Sequence, residues 1–130
     1  LIMTEFKELA GCIIVEGGEL LLLSESDTGL WNVPGGEVNE DESPTSAAIR
    51  ETESILGVEP ELEKPLFTGE FQHEGELFLW HGYIGVVSKS PELADDRFSD
   101  LQWFSAADLT EVDMAPNLEM IKPGLMRMLK

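Results

Sequence analysis

The residues of this chain able to do chemistry are mostly carboxylates, and they gather around one stretch. Pro34-Gly35-Gly36-Glu37 is followed by Glu42, by the adjacent pair Arg50-Glu51 and by Gly57. Carboxylate oxygens are ligands for hard divalent cations and partners for guanidinium groups, so this set suits metal chemistry or an ion-pair centre. Thiol and imidazole chemistry have little to work with. Cys12 is the only cysteine, which rules out an internal disulfide and a cysteine zinc site. It lies in the apolar run Ala10 to Val15 and reads as a small core residue. His73 and His81 lack metal-ligand spacing and read as surface or hydrogen-bonding groups.

Elements must hold these groups in place, and the strongest is a helix over Ser43 to Leu56. Ser43 suits the N-cap, Pro44 the first helical position, and Gly57 a left-handed stop. Ala47, Ala48, Ile49, Thr52, Ile55 and Leu56 give it a broad buried face. Ahead of it, Ala10 to Glu16 and Glu19 to Ser24 read as strands joined at Gly17-Gly18. Their near-continuous aliphatic runs predict central strands covered on both faces. Pro34-Gly35-Gly36 reads as a break in regular structure. After the helix, Leu62 to Gln72 and Glu76 to Val87 predict a long hairpin turning at His73-Glu74-Gly75. Then come an acidic connection over Ser88 to Arg97, a short strand at Leu101 to Phe104, and a helical turn from Ser105. Pro116 to Lys130 is amphipathic, with Pro123 kinking or splitting it.

The stretch from Gly36 to Val58 resembles the signature of Nudix (MutT-like) hydrolases, G-x5-E-x7-R-E-U-x-E-E-x-G-U with U aliphatic. Gly36, Glu42, Arg50, Glu51, Gly57 and Val58 are in register, whereas Ser54 and Ile55 stand in place of two glutamates. Trp31, Pro34 and Gly35 before the box also fit, as does Asp100-Leu101-Gln102-Trp103-Phe104 through Leu109. The resemblance implies the α/β class, a Nudix-like α/β/α sandwich with a mixed central sheet, as one domain over residues 1–130. It implies a catalytic set of Glu51, Arg50 and Glu42, with Gly36 and Glu51 on a magnesium or manganese ion. Arg50 would pair with Glu42 and orient Glu51.

On a helix, residues three and four positions after Glu51 share its face, and here they are Ser54 and Ile55. Glu53 points elsewhere, roughly 200° around the helix from Glu51. The metal site is therefore reduced. Glu37, Glu70, Glu74, Glu76, Asp95 and Asp96 are the carboxylates that another loop has to offer in compensation; the plain alternative for each is a solvated acid. Phe71, Phe78 and Trp80 are candidates to stack on a nucleobase, or else are core aromatics of the hairpin.

Composition narrows the partners. Only five lysines and three arginines oppose 26 acids, for a formal charge of −18. Such a surface repels phosphate backbones, which argues against duplex nucleic acid. The acidity reads either as an ordinary soluble surface or as adaptation to a high-salt interior, where repulsion is screened. No secretory signal and no bilayer-spanning stretch is seen, so a cytoplasmic protein with no membrane partner is expected. The expected function is magnesium-dependent cleavage of the diphosphate linkage of a nucleoside diphosphate derivative. Its rivals are a catalytically silent domain of the same fold that binds a nucleotide or protein, and a scaffold with an empty cleft. Oligomeric state is left open.

Overall fold

Two long strands built from unbroken aliphatic runs organise the molecule. In the computed structural model, which describes residues 5–129, β1 spans Lys7–Glu16 and β2 spans Glu19–Glu25. Successive strand residues point to opposite faces, so each run must be covered on both sides. Cys12, Ile14, Leu21 and Leu23 pack on one side with Ile55 and Leu56 of the helix α1, Pro44–Leu56. Ile13, Leu20 and Leu22 pack on the other with Leu109, Leu118 and Leu125. Those three leucines belong to short C-terminal helices: α2 (Ala106–Leu109), α3 (Pro116–Glu119) and α4 (Lys122–Met128). Helices thus cover both faces, as an α/β/α sandwich requires. Each fully buried leucine or isoleucine contributes about 1.5–3 kcal/mol.

The sheet is mixed. Its order is β3-β2-β1-β6-β5, with β4 also on β1 and β7 also on β2. Here β3 is Trp31–Asn32, β4 Gly35–Glu37, β5 Glu61–His73, β6 Glu76–Val86 and β7 Phe98–Phe104. The β1–β6 pair is parallel, and the other pairs are antiparallel.

Most predicted elements sit within a residue or two of their expected bounds. Ser43 accepts from the Ser46 amide as N-cap, and Gly57 stops α1 at φ 69°. The hairpin β5–β6 turns at Glu74 and Gly75, both at positive φ. Pro123 splits the last segment, since α4 begins beside it; Lys130 lies outside the described residues.

Three predicted details differ. The first strand begins at Lys7 rather than Ala10, because Lys7, Glu8 and Leu9 pair with Phe78, Leu79 and Trp80. Gly35 and Gly36 are not a break in regular structure but a strand, with Ala10 opposite Gly36 and Gly11 opposite Gly35. The pairing is close because Gly35 has no side chain: a Cβ there would collide with the backbone of Ala10 and Gly11. The last strand also begins at Phe98 rather than Leu101, because Phe98 pairs with Glu25 beyond a register shift and buries its ring against Ile55 and neighbours.

Candidate active site

Helix α1 delivers Glu51 to the junction with β4, where the carboxylate lies against Gly36. A Cβ on Gly36 would stand 2.5 Å from Glu51 Oε2, so only glycine admits the side chain here. Glu51 is 7% exposed, a depth at which a carboxylate needs partners.

Its two oxygens meet two different arginines. Oε1 accepts from Arg50 Nη1. The same guanidinium grips Glu42 in bidentate fashion, Nε to Oε2 at 2.7 Å and Nη2 to Oε1 at 2.9 Å. It also donates to the Glu37 carbonyl at 3.0 Å. Glu42 in turn accepts from the Asn39 amide. Arg50 first, and that amide second, pull the Glu42 carboxyl down to about 2. One arginine thus ties the loop after β4 to the helix, in the pairing expected of Glu42, Arg50 and Glu51.

Glu51 Oε2 meets Arg97 instead. Arg97 Nη2 is 2.8 Å from that oxygen and 2.8 Å from Asp95 Oδ2. The contact to Oε2 is an ion pair without hydrogen-bond alignment, so this buried oxygen has no aligned donor. Asp95 receives Arg97 through Nε as well as Nη2, and these contacts hold its carboxyl below the usual range. The segment carrying Arg97 is fixed to the end of β2. Ser26 donates its amide to the Arg97 carbonyl and its hydroxyl to the Asp96 carbonyl, both at 2.8 Å.

A divalent ion was expected on Gly36 and Glu51, and the donors present do not fit one as they stand. Both oxygens of Glu51 face guanidinium groups. One turn further along, Ser54 is exposed and Ile55 is fully buried in the core. Among the described residues no three of His, Cys, Asp or Glu cluster as metal ligands. Of the proposed compensating acids, Asp95 alone reaches Glu51, and it does so through Arg97. Glu37 and Glu76 pair with Lys7 at 3.4 and 3.7 Å, and Glu74 lies 3.7 Å from His73. Asp96 offers its carbonyl to Ser26, and Glu70 stays exposed on β5.

The aromatic candidates do not form one surface. Phe71 and Phe78 stack on each other at 5.0 Å between ring centres. Trp80 is 2% exposed and lines a cavity of about 190 Å³ with Asn32, Gly35, Gly36, Phe98 and Asn117. Small-molecule sites are commonly ~300–1,000 Å³, so this cavity holds a fragment of a nucleotide at most in its present form. Burial pushes the Cys12 thiol up to about 12, in keeping with a core residue rather than a nucleophile. His81 bonds Glu8 at 3.0 Å, and His73 stays exposed near Glu74, neither joining the site.

Arg97 is the site residue that sequence reasoning missed. Its rarity was the available signal, since the chain has only three arginines. Nothing local announced its partner, which comes from a helix earlier in the chain.

Comparison with known proteins places the chain's family and fold. The pattern of the NUDIX domain matches residues 6–127. A MutT-like protein of Streptomyces ambofaciens is 32% identical over 103 residues, covering 79% of this chain and 66% of its own. The CTP pyrophosphohydrolase of Escherichia coli is 28% identical over 84% of this chain and 83% of its own. Among solved structures, a MutT NUDIX hydrolase from Burkholderia pseudomallei superimposes with a TM-score of 0.84 at 26% identity, covering 92% and 97% of the two chains.

Proposed function

The chain belongs to the NUDIX domain family, and from that premise we propose that it hydrolyses the diphosphate linkage of a nucleoside diphosphate derivative, acting as one domain. In this reaction a water oxygen bonds to one phosphorus, and the bridging oxygen leaves with the other phosphate. The observation that carries the reading is the Glu42–Arg50–Glu51 network seated against Gly36. It keeps the turn and the helix in one fixed relation, and correct positioning is a large part of such catalysis. The relatives support the substrate class, one of them being described as a CTP pyrophosphohydrolase.

Magnesium or manganese belongs to this reading as the counter-ion carried by the diphosphate itself, because the donors around Glu51 do not fit one. Duplex nucleic acid is a poor partner for a chain of charge −18. Among the described residues no helix is long and apolar enough to cross a membrane.

The silent nucleotide-binding domain is the second reading, and Arg97 on Glu51 is the observation that favours it. One assay separates them. Nucleoside triphosphates and nucleotide sugars are incubated with the protein in magnesium, in manganese or in a chelator, and followed by phosphorus NMR. Release of a nucleoside monophosphate is expected, lowered roughly 100-fold in Arg50→Ala through misplacement of Glu51. Saturable nucleotide binding with no product in any condition would select the silent domain.

A further inference from the structure

We propose that Arg97 stands in for a divalent cation at Glu51, so that the folded chain closes this carboxylate to metal. The placement is that of a bridging ion. Arg97 Nη2 is 2.8 Å from Glu51 Oε2 on α1 and 2.8 Å from Asp95 Oδ2 on the connection before β7. The two carboxylates are therefore held within twice that distance by one positive group. The remaining Glu51 oxygen is taken by Arg50.

The guanidinium is delivered by anchored backbone rather than by a loose side chain. Ser26 bonds the carbonyls of Arg97 and Asp96, and the Arg97 amide bonds Asp95 Oδ1 at 2.9 Å. Arginine keeps its charge at any ordinary pH, so it cannot make way by losing a proton. A divalent ion would have to displace it against like-charge repulsion. Beyond Asp95, which Arg97 already holds, α1 offers no further donor to reward that exchange, since Ser54 is exposed and Ile55 is in the core. The chain has only eight lysines and arginines, yet two of its three arginines meet at this one glutamate.

Manganese alone is the probe, in potassium chloride of fixed concentration so that diffuse binding to the acidic surface stays constant. Paramagnetic broadening of the Gly36 and Glu51 amide signals reports occupancy at this site. Wild type is expected to show no broadening there that Glu51→Gln removes. Arg97→Gln frees Glu51 and Asp95 together, and should gain a saturable site at least about tenfold tighter than any in wild type. That site should vanish again when Glu51→Gln is added. Glu51-dependent broadening in wild type would overturn the proposal, and so would an Arg97→Gln protein that gains no site. If Arg97→Gln does not fold, wild type against Glu51→Gln decides alone: equal manganese binding supports the proposal, and loss in the variant overturns it. Failure of hydrolysis leaves this inference standing, whereas manganese held by Glu51 would sink it without touching the hydrolytic reading.

Discussion

Glu42 and Arg50 show how much a single pairing fixes. The folded Glu42 carboxyl ionises at about 2, against an ordinary 4.5. Between those values the unfolded chain binds the extra proton, so the stabilising contribution is complete above about 4.5 and is lost as the pH falls to about 2. The stability gap between wild type and Glu42→Gln should therefore be constant at neutral pH and close in acid. Urea midpoints across that range check it, and a gap independent of pH would show that Glu42 is not ionically held. Arg50→Ala strands Glu42 but leaves Arg97 on Glu51. Its guanidinium is partly exposed, so the expected cost is about 1–3 kcal/mol, below that of a fully buried pair. Denaturant unfolding measures it, and no change beyond error would mean the arginine serves activity alone.

Helix α1 was legible because its signals are local: a capping serine, a proline at its start and a glycine at its end. The burial of β1 and β2 on both faces was equally plain in their aliphatic runs. What escaped was set by partners distant in sequence. Gly35-Gly36 becomes a strand only because β1 lies beside it, and Phe98 extends β7 only because Glu25 and Ile55 are there. Glu51, Arg50 and Glu42 were readable from their spacing, but the role of Arg97 was not. The same geometry revises the idea that positions 54 and 55 both face a ligand site. Ser54→Glu should change stability by no more than about 0.5 kcal/mol, as for most exposed positions. Ile55→Glu should cost roughly 4 kcal/mol or more, because it buries an unpaired carboxylate among Cys12, Leu21 and Phe98. Circular dichroism melts of the two single variants test the contrast, and equal midpoints would refute it.

Across the whole molecule, 26 acids face eight lysines and arginines, so most carboxylates have no cationic partner. Their repulsion should weaken as the screening length falls from about 10 Å at 0.1 M salt to about 3 Å at 1 M. Thermal midpoints are expected to rise over that range of potassium chloride, and a flat or falling trend would count against adaptation to high salt. The ion pairs around Glu51 should survive such screening better than exposed pairs do, being partly buried. The parallel pairing of β1 with β6 has a temporal consequence. Lys7 through Ile14 lie opposite Phe78 through Gly85, so a chain emerging from the ribosome cannot close the centre of its sheet until those residues, roughly seventy positions further on, have been made. The local hairpin β1–β2 and helix α1 are free to form early, while Glu51 meets its second arginine only after residue 97 appears. Long-range closure of this kind makes for slow folding, and it leaves the face of β1 and β2 that carries Ile13, Leu20 and Leu22 uncovered until Leu109, Leu118 and Leu125 appear.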